Sequence, residues 1–109
     1  GPLAPQVDTS TLGDTEAALS PAFEQAFLER SRLKFRYRDA KGTETERQVE
    51  PQAMLILPPL WYLVAWDPMR EDFRHFRMDR ISRPEVIEGA AFRSRRVPFD
   101  AGVQPVRYA

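Results

Sequence analysis

Residues 73–81, FRHFRMDRI, place three arginines and one histidine beside two phenylalanines. A guanidinium group offers a planar fork of N–H donors that matches phosphate or carboxylate oxygens, and aromatic rings stack on nucleic-acid bases. The segment therefore has the chemistry of a surface that holds phosphates and bases. The same alternation is also typical of a barrel strand with one ordinary solvated side. The segment by itself leaves both interpretations open.

Charge is unevenly distributed along the chain, although the formal net charge is zero. Residues 1–29 contain five acids and no base, whereas residues 30–83 contain twelve bases and eight acids, a net charge of +4. Of the sixteen bases in the chain, fourteen are arginine. A basic middle favours an anionic partner, and a GC-rich genome explains the preference for arginine equally well.

Length and residue types exclude several function classes. A chain of 109 residues suits one domain. There is no cysteine and only one histidine, His75, so we expect no disulfide, metal or cofactor. No nucleophile–histidine–acid series and no phosphate-binding glycine motif occurs, so we expect no catalysis. Without a bilayer-length apolar run or a signal-peptide pattern, we expect a cytoplasmic protein with no membrane partner.

A short helix is predicted near the start of the ordered part. Ser20 has the type and place of a helix N-cap, and Pro21 suits the first helical position. Apolar residues then recur at helical spacing at Phe23, Ala26 and Phe27. The pattern predicts a helix from about Pro21 to Ser31.

The rest of the chain has the alternation of β-strands. Leu33, Phe35 and Tyr37 alternate with basic residues, which predicts a strand with one apolar and one basic face. Similar patterns follow, separated by turn residues. Strands are predicted at residues 32–38, 45–51, 53–57, 61–66, 73–81 and 84–88. Short strands with one flanking helix indicate a mainly β fold, either a small barrel or a strongly bent sheet.

Residues 61–81 are predicted to form a hairpin whose two faces differ. If Trp66 lies opposite Phe73, then Leu63 lies opposite Phe76, and Tyr62 lies opposite Arg77. One face then forms core, and the other is expected to face solvent. The core face contains Trp61, Leu63, Ala65, Phe76 and Met78. The solvent face contains Tyr62, Val64, Trp66, Phe73, His75 and Arg77. Arg74 and Arg80 share the core side, with Arg74 expected to be solvated near the turn and Arg80 to bend outward.

Taken in order, these segments resemble the WYL domain, which is named for the tripeptide found here at residues 61–63. Residues 76–81, Phe-Arg-Met-Asp-Arg-Ile, are similar to the signature of that family, and the resemblance covers residues 21–88. It implies an α+β but mainly β fold, a small Sm-like or SH3-like five-stranded barrel with one N-terminal helix. Family members usually follow a DNA-binding helix-turn-helix in bacterial transcriptional regulators.

The resemblance also implies an anionic effector, either single-stranded nucleic acid or a nucleotide. Carried over to this sequence, the ligand-binding residues are Tyr62, Arg77 and Arg80, with Arg47 as a further match. His75 is a candidate fifth contact, and a plain polar strand residue is the alternative for it. Arg80 also has a structural alternative, an ion pair with Asp79, Glu50 or another acid.

The chain is expected to divide into a disordered tail or linker at residues 1–19, a WYL-like barrel at residues 20–89 and a C-terminal extension at residues 90–109. The opening Gly-Pro-Leu is typical of the remnant of a cleaved tag. No helix-turn-helix pattern occurs, so operator binding is assigned to another part of the parent chain. Two functions stay open, an effector-sensing domain and a protein-interaction or homodimerisation module without a nucleic-acid ligand.

Overall fold

The computed structural model describes residues 20–98 together with residues 105–106. These residues form a mainly β structure with one α-helix, which confirms the predicted fold class. The tail predicted at residues 1–19 and part of the predicted C-terminal extension lie outside the described residues. The elements are α1 (Pro21–Glu29), β1 (Ser31–Arg38), β2 (Glu44–Leu57), β3 (Leu60–Asp67), β4 (Asp72–Arg77), a 3-10 helix (Met78–Arg80), β5 (Ile81–Ala91) and β6 (Pro105–Val106).

Helix α1 begins where the sequence predicts. The Phe23 N–H donates to Ser20 Oγ over 3.3 Å, so Ser20 is the N-cap, and Pro21 occupies the first turn. The helix ends two residues earlier than predicted, because Arg30 adopts the left-handed conformation and turns the chain into β1. Phe23 and Ala26 are fully buried against the sheet.

Replacing Ser20 with alanine should destabilise the domain by about 1 kcal/mol, because the Phe23 N–H loses one of its two acceptors and keeps only the Ser20 carbonyl. Urea unfolding followed by circular dichroism measures this change as a lower midpoint at constant slope. Ser82→Ala, at an exposed position of β5, is the matched control and should leave the midpoint almost unchanged. Equal midpoints for the two variants would contradict the capping role.

Strand β2 is the longest strand and connects the two halves of the sheet. The strand order is β4-β3-β2-β1-β5, with β6 beside β2, and all pairs are antiparallel. The sequence predicted two strands here, but β2 is continuous, with a register irregularity between Pro51 and Ala53. A proline lacks the N–H of a ladder and is tolerated at such a bulge. The first half of β2 pairs with β1 and the second half pairs with β3.

The 3-10 helix connects β4 and β5, the two end strands of the order. The sequence predicted one strand through residues 73–81, but β4 ends at Arg77 and Met78 turns into the core with no exposure. Strand β5 is longer than the predicted strand at residues 84–88 and pairs with β1. It continues to Ala91, past the boundary predicted at residue 89.

The predicted hairpin register is confirmed. Trp66 pairs with Phe73, Leu63 with Phe76, and Tyr62 with Arg77. The inner side of this hairpin belongs to the main core, as predicted. That core includes Phe23, Leu33, Phe35, Met54, Leu63, Phe76 and Met78, all at most 1% exposed. Trp61 packs against the same core from its edge.

The outer side of the hairpin was predicted to face solvent, and this expectation is wrong for its centre. Val64 is fully buried there and forms a second apolar cluster with Ala53 and Leu55. Tyr62, Phe73 and Val97 pack against this second apolar cluster. The correction has a simple cause, since the chain after β5 returns across this side of the sheet.

Candidate anion-binding surface

Two arginines lie against one buried ring at the inner side of the sheet. The Cζ atom of Arg47 is 5.8 Å from the centroid of the Phe76 ring, and that of Arg74 is 5.9 Å from it. Arg47 lies opposite Phe35 on β1, and Arg74 lies opposite Ala65 on β3, so both side chains leave the sheet on the core side. We call Arg47 and Arg74 the inner arginine pair.

The Phe76 ring is fixed by its neighbours. It makes edge-on contacts with Phe35 and Tyr37, at centroid distances of 5.2 and 5.0 Å. The Tyr37 hydroxyl in turn accepts a hydrogen bond of 3.1 Å from the Arg77 N–H, which ties β1 to the end of β4. Since Phe76 is 1% exposed, the ring presents a stable aromatic surface to both guanidinium groups.

The charge of the inner arginine pair is not compensated by an acid within residues 20–98. No carboxylate in that range forms an ion pair with Arg47 or Arg74, and both side chains are half-buried. Arg47 donates from Nε to Thr45 Oγ1 over 2.9 Å, a neutral partner. Four other basic residues do have acidic partners. The ion pairs are Arg32–Glu50, Lys34–Glu46, Lys34–Glu85, Arg77–Asp79 and Arg95–Glu50.

Arg80, like Arg36, is half-buried and has no ion pair in the part of the chain that the structure describes. The ion pairs considered for it from the sequence are absent there. Asp79 is bound by Arg77, and Glu50 is bound by Arg32 and Arg95. Arg80 lies in the 3-10 helix immediately before Ile81, the β5 partner of Tyr37.

Arg77 is engaged by its neighbour in the 3-10 helix. Its Nε donates to Asp79 Oδ1 over 3.0 Å and its Nη2 to Oδ2 over 2.6 Å, a two-pronged contact. Because the chain turns tightly after β4, the carboxylate of Asp79 lies close to the guanidinium of Arg77, two residues earlier. A phosphate could use Arg77 only in competition with Asp79.

The five residues singled out from the sequence do not form one cluster. Arg47 lies on the inner side of the sheet, and Arg80 lies in the 3-10 helix. Tyr62, His75 and Arg77 lie on the outer side, where Tyr62 pairs with Arg77 and His75 is exposed opposite Val64. Strand β4 carries His75 and Arg77 on the outer side and Arg74 on the inner side, because successive side chains of a strand point to opposite sides.

Arg74 is the residue that the sequence interpretation missed. Its assignment to the core side was correct, but it was expected to be solvated beside the turn. The core-side parity of this arginine was the sequence signal that could have identified it, because a guanidinium on that side can lie over an aromatic ring of the core.

Two features are absent from the described residues. None of the helices in residues 20–98 combines the length and apolar character that crossing a bilayer requires. No group of three or more histidine, cysteine, aspartate or glutamate residues in the same range could hold a metal ion.

Comparison with known proteins decides the family. The model of the WYL domain matches residues 19–86 of this 109-residue chain, which is more than half of it. The chain belongs to the WYL domain family. In this WYL domain the three residues of the tripeptide, 61–63, lie on two different sides of the sheet. Leu63 is fully buried and Trp61 packs against the main core, whereas Tyr62 belongs to the outer side.

A solved structure shares the fold of this WYL domain. Proteasome accessory factor B/C (PafBC) of Arthrobacter aurescens superposes with a TM-score of 0.63 and is 23% identical in sequence. The match covers 84% of this chain and only 18% of that protein. At this level of sequence identity the likeness shows a shared fold alone. This chain corresponds to a small part of the longer protein.

Proposed function

We propose that this WYL domain is the effector-sensing domain of a bacterial transcriptional regulator, acting in the cytoplasm. Its effector is a single-stranded nucleic acid or a nucleotide, bound through phosphate oxygens at Arg47, Arg74 and Arg80. The observation that carries the proposal is the inner arginine pair, two guanidinium groups on one buried ring with no acid beside them in residues 20–98. A phosphate would supply the missing negative charge.

The outer residues would extend this site along the free side of β4. Strand β4 pairs only with β3 in the described residues, so a bound chain could run beside it. Arg74 would then contact a phosphate on the inner side, while His75 and Arg77 would contact the next unit on the outer side. Tyr62, opposite Arg77, offers the ring on which a base would stack.

Sensing requires that the effector prefers one state of the parent regulator. A helix-turn-helix in the parent chain would bind operator DNA, and the effector would shift its affinity through the packing or the pairing of the domains. Such a role is binding without conversion, so none of the named residues needs to act as acid, base or nucleophile.

The proposal is tested by fluorescence anisotropy with a labelled single-stranded oligonucleotide at two salt concentrations. Arg74→Ala should weaken binding by about tenfold at low salt, since a charge-assisted contact contributes roughly 1.5–3 kcal/mol. The slope of log K against log salt should also become shallower by about one. Arg83→Ala, which removes an exposed arginine of β5, is the matched control and should weaken binding less than twofold.

One outcome would overturn the proposal, and a second would restrict it to nucleotides. Equal losses for Arg74→Ala and Arg83→Ala would mean that the whole surface attracts the oligonucleotide and that the inner arginine pair does not form a site. No binding by the unaltered domain at low salt, where phosphate contacts are strongest, would exclude single-stranded nucleic acid. Free nucleotides would then be titrated in the same format.

The alternative is a protein-interaction or homodimerisation module. The observation in its favour is that β4 has one strand partner in the described residues, because an unpaired strand edge can pair with another chain. Light scattering on the same variants separates the two functions. If Arg74→Ala loses oligonucleotide binding but keeps its molar mass in solution, the sensor is supported. If the molar mass of Arg74→Ala falls because an oligomer dissociates, the module is supported.

A further inference from the structure

Residues 92–98 cross the outer side of the sheet without regular secondary structure, and we call them the covering segment. The Phe92 N–H donates to the Arg30 carbonyl over 2.9 Å, which fixes the start of the segment beside α1. Further along, Val97 packs on the second apolar cluster. Between Phe92 and Val97 the covering segment is held to the sheet mainly through contacts that involve side chains. Most of these contacts are made by Arg95.

Arg95 contacts three groups on two strands. Its Cζ atom is 3.9 Å from the centroid of the Trp66 ring, well within the roughly 6 Å range of a cation–π contact. Its Nε lies 3.7 Å from Glu50 Oε1, and its backbone N–H donates to Gln52 Oε1 over 2.7 Å. Trp66 is itself held edge-on by Phe73 at 5.1 Å, so the indole face is fixed in place.

The buried carboxylate of Glu50 explains why a guanidinium group lies at the position of Arg95. The residue is 4% exposed, and a buried carboxylate is costly unless cations stand beside it. Arg32 donates to Oε2 from Nε and Nη2, at 3.3 and 3.2 Å. The other oxygen, Oε1, is buried without a hydrogen bond in the described residues, and Arg95 is the cation that faces it. The carboxylate therefore keeps one oxygen for a second guanidinium.

We propose that Glu50, Gln52 and Trp66 form a guanidinium-binding site that recognises an arginine within an extended peptide segment. Arg95 of the same chain is its resident occupant. The carboxylate selects positive charge, the indole face selects a flat cation over an ammonium group, and the Gln52 side chain fixes the backbone of the arginine itself. An arginine-bearing segment of another protein would compete with Arg95 for this site. Its entry would lift the covering segment, with Val97, from the second apolar cluster.

The site is independent of the proposed effector function, and its test contains no nucleic acid. The full chain would be studied by NMR as the unaltered protein, as Arg95→Ala, and as Arg93→Ala. Arg93 is an exposed neighbour in the covering segment and serves as the matched control. The probe is a synthetic peptide with the sequence of residues 92–98, FRSRRVP, and the readout is the Trp66 indole N–H signal, assigned with Trp66→Phe.

The peptide should produce a saturable shift of the Trp66 signal in Arg95→Ala, because the site is then vacant. Its affinity should be at least tenfold lower for the unaltered chain and for Arg93→Ala, where Arg95 competes from within the chain. A peptide with citrulline in place of its central arginine should bind Arg95→Ala at least tenfold more weakly. Equal binding to all three proteins, equal binding of both peptides, or no saturable shift would overturn the proposal.

A measurement on the unaltered chain keeps the test decisive if Arg95→Ala does not fold. Stacking on the Trp66 ring should move the Arg95 Hδ signals upfield relative to those of Arg93, and Trp66→Leu should abolish the difference. Arg95 and Arg93 signals at the same position in the unaltered chain would show that the site is unoccupied and would overturn the proposal.

Discussion

Replacing Phe76 with alanine should lower the free energy of unfolding by about 4 kcal/mol, the range observed for large-to-small changes at buried aromatic residues. The ring is 1% exposed and loses edge-on contacts with Phe35 and Tyr37 when it is removed. Denaturant unfolding followed by circular dichroism measures the loss. Phe73→Ala, at a half-buried position of the same strand, is the control and should cost less than half as much. Equal losses would contradict the central place of Phe76 in the core.

A milder variant separates stability from binding. Phe76→Leu should retain the fold but remove the aromatic surface beneath the inner arginine pair. Oligonucleotide affinity should then fall at least threefold, a change of about 0.7 kcal/mol, which is typical of a cation–π contact. Leu63→Met, a substitution of similar volume in the same core, should leave affinity unchanged. Unchanged binding by Phe76→Leu would mean that the ring does not orient the two arginines.

Replacing Arg32 with alanine should destabilise the domain by about 2 kcal/mol, because Glu50 would keep a buried charge with one of its two cations removed. The estimate lies below the usual cost of breaking a buried pair, since the Arg32 side chain is 40% exposed and Arg95 remains. Unfolding in guanidinium chloride is unsuitable because the salt screens charges, so urea should be used.

The double variant Arg32→Ala with Glu50→Gln shows whether charge is the cause. Removing the carboxylate charge should recover at least half of the stability lost in Arg32→Ala. If the two changes were additive, the loss would be due to packing of the arginine stem, and Glu50 would not be a charge that requires partners.

Much of the fold follows from local patterns. The alternation of Leu33, Phe35 and Tyr37 and the apolar spacing after Ser20 were sufficient to predict β1 and α1. Opposing Trp66 and Phe73 fixed the whole register of β3 and β4, because strand pairing repeats every two residues and a shift by one would expose Leu63 and Phe76. These features depend only on neighbours in the chain or across one hairpin.

The errors arose where the outcome depends on distant segments. Pro51 looked like the end of a strand, but the bulge beside it lets β2 continue and change partners. Arg74 looked solvated, since the ring contact depends on how the hairpin packs against β1 and β2. The covering segment has no periodic pattern, so nothing local indicated that Val97 and Arg95 return to the outer side of the sheet. The contact of Arg77 with Asp79 likewise depends on the turn into the 3-10 helix, where the sequence predicted a continuous strand.

The order of the strands has a consequence for the kinetics of folding. Neighbouring strands in the sheet are consecutive in the chain from β1 to β4, whereas β1 and β5 are joined only after the whole of that meander has formed. Leu33 and Val86 are partners across this junction, which also contains two register irregularities. The loop-closure entropy is therefore concentrated in the β1–β5 pairing, which should form last during folding.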